Sequence, residues 1–206
     1  MYRDGSIRKY LEDAAAGTPT PGGGSVSAFA GALATTMGSM AANFTAGKKK
    51  FLDVEPRVKS ILERLDRERE TLLELMDLDV EAYGAVSAAY ARPKEEKTAR
   101  SAKIQQALAA AMDVPLRTMR ACLAVLHELA QLVDVANPNL ISDVGVSAIL
   151  AEAALRGAKL NVEINLASLT DEAAAKRTGD EIAGAAEEAA RTVREVLTKV
   201  RARITS

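Results

Sequence analysis

The chain has 206 residues, 27 Lys+Arg against 28 Asp+Glu, one His, and a formal net charge of −1. Hydrophobic residues make 48% and aromatics 3%, Trp is absent, and alanine fills 40 positions, a composition that favours helix over the β-branched and aromatic strands of a sandwich or barrel. The balanced charge removes the global field that nucleic acid or an anionic membrane would need. The lone Cys122 excludes an intramolecular disulfide and a cysteine zinc cage.

The start, Met1-Tyr2-Arg3-Asp4-Gly5, lacks the basic-then-apolar profile of a signal peptide. With no disulfide to form, the expected location is the cytoplasm. A first helix is predicted from Ser6, its N-cap, to Ala16, stopped by Gly17. Thr18-Pro19-Thr20-Pro21-Gly22-Gly23-Gly24-Ser25 follows, with prolines that extend the chain and glycines that permit angles other residues resist. No charge occurs from Ala14 to Gly47. The helical part of that stretch is mostly Gly, Ala, Ser and Thr, and its large residues (Val26, Phe29, Leu33, Met37, Met40, Phe44) recur by threes and fours. It reads as a helix buried in a helical assembly, whose small residues admit close backbones, rather than as a membrane span. Lys48-Lys49-Lys50 ends it with cations at a helix C-terminus.

Pro56 suits the first turn of a long helix. Its apolar stripe passes through Val58, Ile61, Leu65, Leu72, Met76, Tyr83, Val86 and Tyr90, with Arg69 and Asp79 standing in the seam, and Pro93 ends it. The next helix starts near Glu95 and carries Pro115, which predicts a kink or break at Val114. Asn137-Pro138-Asn139 marks a loop. Ser142-Asp143 opens or lies early in a helix reaching about Leu169. A last helix follows Thr170-Asp171-Glu172 and ends near Arg203, with Thr178-Gly179-Asp180-Glu181 offering a second capping box. With no repeat and no linker, residues 1–206 are expected to form one domain, an all-α antiparallel bundle of about six helices, three of them long.

Several polar features interrupt this pattern. The Gly22-Gly23-Gly24-Ser25 corner at a helix start could present backbone N–H groups to an anion or a polarised carbonyl, or be a tight turn of positive φ with a serine cap. It is neither a dinucleotide fingerprint nor a P-loop, since no strand precedes it and no Gly-Lys-Ser/Thr follows. Lys48 to Lys50 could hold an acidic tail or simply complement the dipole. Asp79 on an apolar stripe must be salt-bridged, hydrated or functional, and Asp77, two residues away, points elsewhere. Asn137, Asn139, Ser142 and Asp143 suit capping or a site. Asn161 and Asn165 share a helix face in an apolar run, where buried amides need partners. His127 and Cys122 read as core or near-core residues. No metal-ligand set is evident.

The segments Pro19 to Ala28, Gly47-Lys48-Lys49-Lys50-Phe51, Asp77 to Tyr83, Arg92-Pro93-Lys94, Asn137-Pro138-Asn139 with Ser142-Asp143-Val144-Gly145-Val146, and Asn161 to Leu166 followed by Asp171 resemble the formimidoyltetrahydrofolate cyclodeaminase / methenyltetrahydrofolate cyclohydrolase family. The likeness runs in order over about residues 6–172, and Ala136 departs from it where glycine is expected before Asn137. It implies an all-helical homodimer acting on the N5–N10 one-carbon unit of tetrahydrofolate, with no metal and no cofactor beyond the folate substrate. Hydrolysis of 5,10-methenyltetrahydrofolate to the 10-formyl form is the first expectation. Cyclodeamination of 5-formiminotetrahydrofolate is the alternative within the family, and a non-catalytic helical interaction protein the alternative outside it. In these reactions Asp79 and Asp143 are the candidate acid/base carboxylates. Asn137, Asn139, Asn161 and Asn165 would suit the pterin, Ser142 is a further substrate-binding candidate, Lys48, Lys49 or Arg100 would suit the glutamate tail, and Gly22, Gly23, Gly24 and Ser25 would bring backbone N–H groups against the ligand.

Overall fold

The computed structural model describes residues 1–93 and 97–205. Among them there are six α-helices and no strand: α1 (Ile7–Ala14), α2 (Gly23–Asn43), α3 (Glu55–Tyr90), α4 (Lys97–Val135), α5 (Ile141–Leu166) and α6 (Glu172–Ile204). Three of them exceed 30 residues. The expected start at Glu95 and the adjoining Lys94 lie outside the described residues. Local chemistry sets most of the ends. Ser6 caps α1 by accepting from the Lys9 N–H at 3.1 Å, and Asp171 caps α6 by accepting from the Ala174 N–H at 2.9 Å. Beyond α2, Gly47 takes the left-handed φ of 71° before a short 3-10 turn, Lys49–Phe51.

Helices α2 to α5 run up and down in turn, with α2 also touching α4 across the bundle, and α6 lies along α4 and α5. The pairs Arg64–Glu128 (2.6 Å) between α3 and α4 and Ser147 Oγ to Ala34 O (2.6 Å) between α5 and α2 mark the antiparallel registers. Along α6, Arg120–Glu181, His127–Glu188 and Lys199–Asp134 step in the same direction on both helices, so α6 is parallel to α4. His127 is therefore an exposed member of a surface ion-pair row and not a core residue, whereas Cys122 is fully buried. Arg69 leaves the seam to pair with Asp66 at 2.8 Å.

Two expected interruptions are absent. Helix α4 is continuous through Pro115, so a break at Val114 is not found. The proline forfeits one hydrogen bond, and burial of Val114, Leu116 and Met119 on either side holds the helix. Helix α6 likewise passes Gly179 without a stop. No helix among the described residues is long and apolar enough to cross a membrane.

Helix α2 is packed small side in. Gly31, Ala34, Gly38 and Ala41 face the bundle, while Val26, Leu33 and Phe44 from its large-residue seam are exposed. The reason is separation: a Cβ at Gly31 would sit 2.9 Å from Cys122 Sγ, and one at Gly38 2.9 Å from a Leu129 methyl and 3.1 Å from a Leu65 methyl. Gly38→Val is thus expected to overpack this contact and lower stability by about 1–3 kcal/mol. Gly179→Ala, whose methyl would meet nothing within 4 Å, is expected to gain about 0.5–1 kcal/mol. Urea unfolding midpoints of the two variants check both signs.

Candidate active site

The stripe on α3 is buried through Met76 and then emerges, leaving Tyr83 and Tyr90 exposed. There α3, α4, the first turn of α2 and the last turns of α5 enclose a cleft of about 370 Å³, within the size range of small-molecule sites. Its polar lining includes Thr20, Asp79, Asn161, Asn165 and Ser168 beside Gly22 and Gly23, and Tyr83, Val86, Leu108 and Ile164 are among its other walls. A larger groove of about 630 Å³ runs between α5 and α6, but its charges are spent on pairs along α5, Arg156–Glu152 and Lys159–Glu163. We therefore place the chemistry in the smaller cleft.

Asp79 is the centre of that cleft. Its Oδ2 accepts the Ser25 N–H at 2.9 Å, in the first turn of α2, where N–H groups lack intrahelical acceptors and the helix dipole favours an anion. Among the described residues no Lys or Arg lines the cleft, and no cation pairs with Asp79. Burial raises its carboxyl above the ordinary aspartate range, and the Ser25 N–H opposes that only in part.

The glycines serve closeness rather than unusual backbone angles. None of Gly22, Gly23 and Gly24 has positive φ. A Cβ on Gly24 would lie 2.1 Å from Asp79 Oδ1, and one on Gly23 3.1 Å from the Asn161 amide nitrogen. Nor is Ser25 the cap: Gly22 holds that position without a side-chain bond. Ser25 Oγ instead donates to the Met76 carbonyl at 2.8 Å. Its one hydrogen being spent, it accepts from Tyr10 Oη at 3.0 Å. Tyr10 is wedged edge-on against Tyr2 and Phe29, so α1 braces the corner that holds Asp79. Asp77 faces away as expected, is buried, and accepts the Tyr2 N–H at 2.6 Å.

Asn161 and Asn165 each spend an amide N–H on the turn below, to Gly157 O (2.9 Å) and Asn161 O (2.8 Å). That leaves both amide oxygens for a ligand's donors.

The remaining candidates do not join this cleft within one chain. The Asn137 backbone N–H donates to Thr45 Oγ1 (2.9 Å) and its side-chain amide donates to Phe44 O (3.2 Å), at the far end of α2. Asn139 N–H turns back to Asn137 Oδ1 at 3.1 Å. Ser142 and Asp143 begin α5 beside it, and Lys48 and Lys49 are exposed at the same end. With α2 spanning 21 residues, the two ends lie about 30 Å apart. Arg100 instead closes the end of α3, donating to the carbonyls of Tyr90 (2.9 Å) and Arg92 (3.1 Å). Pro19, Thr20, Tyr83, Val86, Leu108 and Ile164 were not among the site residues expected from the sequence: the first two read as loop, and the others as apolar residues at helical spacing that look like core. The one signal was Tyr83, one turn beyond Asp79 on the same face.

A helical bundle with a small cleft, a cation-free carboxylate and paired amides has the make-up of a small-molecule enzyme. The family described as formiminotransferase-cyclodeaminase matches residues 6–184. The methenyltetrahydrofolate cyclohydrolase of Methylorubrum extorquens is 44% identical, over 92% of each chain. The formimidoyltransferase-cyclodeaminase of Rattus norvegicus is 30% identical over 97% of this chain, which spans only 38% of the rat protein. The crystal structure of formiminotetrahydrofolate cyclodeaminase from Thermotoga maritima superposes with a TM-score of 0.89 at 32% identity, covering 97% of each chain. The chain belongs to the formiminotransferase-cyclodeaminase family.

Gly24→Ala is expected to displace the Asp79 carboxylate and cut turnover at least about 100-fold with helicity retained, measured by steady-state rates and circular dichroism. Asp79→Asn is expected to raise the thermal midpoint at neutral pH. The folded chain holds this proton more tightly than the unfolded chain, so stability is lost as pH rises through the folded value, and the amide escapes that loss.

Proposed function

We propose that the chain hydrolyses 5,10-methenyltetrahydrofolate to 10-formyltetrahydrofolate, as a cytoplasmic homodimer, with no metal and no cofactor beyond the folate itself. One observation carries the reading: Asp79 is held in a cleft that, among the described residues, offers it a single N–H and no cation. A carboxylate so placed is matched by a positive ligand. The methenyl bridge is such a ligand, one carbon between two nitrogens that share a positive charge. The cyclohydrolase from Methylorubrum extorquens, by its name, acts on this compound. The buried, unpaired Cys122 accords with a reducing compartment.

In this scheme water adds to the bridge carbon, and its proton passes to Asp79. The carbinol that results is neutral, so the cation that Asp79 stabilised is discharged in the same step. The carbon–N5 bond then breaks. N5 takes the proton from Asp79, the carbinol loses its own proton to solvent as the formyl C=O forms, and one proton is released overall. The amide oxygens of Asn161 and Asn165 would receive the N–H groups of the pterin, with the apolar walls taking the ring edges. The bridge carbon is already electrophilic, which is why the reaction as written needs a base and no Lewis acid. Dialysis against a chelator is expected to leave turnover unchanged.

Cyclodeamination has its own support in the Thermotoga neighbour and the rat relative. There N10 would attack the formimino carbon, and a protonated Asp79 would give its proton to departing ammonia, a task suited by its raised pKa. Two assays separate these readings. Loss of the methenyl chromophore above the uncatalysed rate marks the hydrolase, and its formation with ammonia from the formimino substrate marks the deaminase. Purified protein that does neither sinks both. For the hydrolase, kcat/KM is expected to fall as acid protonates Asp79, with the acid limb above the ordinary aspartate value of about 3.9, and Asp79→Asn is expected to lose about 100- to 10,000-fold.

A further inference from the structure

We propose that Gln105 is a positioning residue for substrate binding: acting through the turn between α5 and α6, it fixes the wall of the cleft that carries Asn165 and Ser168. The inference rests on the folate reading above, in which Asn165 receives an N–H group of the pterin.

Five residues, 167–171, join the end of α5 at Leu166 to the start of α6 at Glu172. They pass beside the cleft, and Ser168 is one of its walls. The turn begins where α5 runs out of helical donors, since the last carbonyls of a helix have no intrahelical N–H. The Ser168 N–H folds back to the Asn165 carbonyl at 3.0 Å, and the Leu169 N–H to the Leu166 carbonyl at 3.1 Å. The Ser168 carbonyl and the Thr170 N–H turn instead to α4, where Gln105 meets both. Its Nε2 donates to Ser168 O at 3.1 Å. Its Oε1 accepts the Thr170 N–H at 2.9 Å and the Thr170 hydroxyl at 3.1 Å. One side chain thus satisfies a carbonyl, an N–H and a hydroxyl, on the two sides of Leu169. The partners fix which way the amide faces, because a carbonyl requires a donor and an N–H an acceptor.

Leu169 adds an apolar anchor at the same place. It packs against the cluster of Ala89, Ile104 and Leu108, and Leu108 is itself a wall of the cleft. Clamp, anchor and wall therefore share one stretch of α4. Helix ends fray and open locally when little holds them, and Asn165 stands in the last turn of α5. The bond from Gln105 to the Ser168 carbonyl, followed by the bond from the Ser168 N–H to the Asn165 carbonyl, runs from α4 to the residue assigned to the pterin. Gln105 is not among the residues that line the cleft, so its effect on a ligand passes through this turn. Asp79 is held separately, by the Ser25 N–H. The support of the amides and the support of the acid share no residue.

Steady-state kinetics on whichever of the two folates the wild-type protein turns over test this. Gln105→Ala is expected to raise KM at least about 10-fold with kcat within about 2-fold of wild type. The acid limb of the pH profile is expected to stay in place, since Asp79 keeps its Ser25 N–H. A clamp that served stability alone would lower the thermal midpoint and leave KM unchanged, and that result overturns the proposal. A fall in kcat at unchanged KM overturns it as well. Thr170→Val, which removes the hydroxyl and keeps the backbone N–H, is expected to raise KM about 2- to 4-fold. Added to Gln105→Ala it should change nothing further, because the hydroxyl acts through Gln105, and a multiplied effect overturns the proposal. If circular dichroism shows that Gln105→Ala does not fold, Gln105→Glu carries the test. Its carboxylate keeps both acceptor bonds to Thr170 and loses the donor to Ser168, so KM is expected to rise at least about 3-fold, and a wild-type KM overturns the proposal. Wild-type protein that turns over neither folate marks failure of the folate reading, a result distinct from all of these.

Discussion

The site depends on one contact between two helices: the carboxylate of Asp79 on α3 set against the first turn of α2, at the Ser25 N–H. Three things have to coincide for it. The carboxylate must leave water, which disfavours its charge. The helix must offer an N–H and its positive dipole end, which partly compensates. And the backbone of Gly24 must come so close that no side chain fits between them. The first makes the Asp79 carboxyl hold its proton more tightly, the second keeps it in place, and the third explains a glycine where no unusual φ is demanded.

The surroundings of that contact are braced rather than loose. Ser25 is tied to the Met76 carbonyl and receives Tyr10, so α1 is locked onto the corner between α2 and α3. Asp77, the other acid of the same turn, secures the amino-terminal strand of chain through the Tyr2 N–H. Two aspartates two residues apart thus take opposite duties, one structural and satisfied, the other partly satisfied and facing the cleft. A site held this way carries an energetic penalty in the absence of ligand, and the rest of the bundle must supply the stability that offsets it.

Helix α2 links this corner to the rest of the molecule in an unusual way. Its small residues lie inside because α4 approaches across the bundle at Gly31 and Gly38, and its large residues are therefore left outside. That inversion is the physical basis for the proposed homodimer. A helix without charge, turned small side in, has an apolar seam that the chain itself does not cover.

The helices, their order, the capping serine and aspartate, and the polar intrusion of Asp79 were all legible in the sequence, because periodicity and capping are local and act over a few residues. The break at Val114 before Pro115 and the interruption at Gly179 were local signals overruled by packing along helices more than 30 residues long. The role of the glycine corner was legible only as a place, and its reason required knowing that α3 passes within contact of it. Val86 and Leu108 carried no mark to separate them from core, since burial is a property of neighbours and not of spacing. By itself the sequence determined the class of fold, the resemblance to a folate one-carbon family and the inventory of acids and amides. Only the tertiary structure decided which of them meet, because residues 54 and 138 positions apart, Ser25 with Asp79 and Gly23 with Asn161, are brought together by the antiparallel crossing of whole helices.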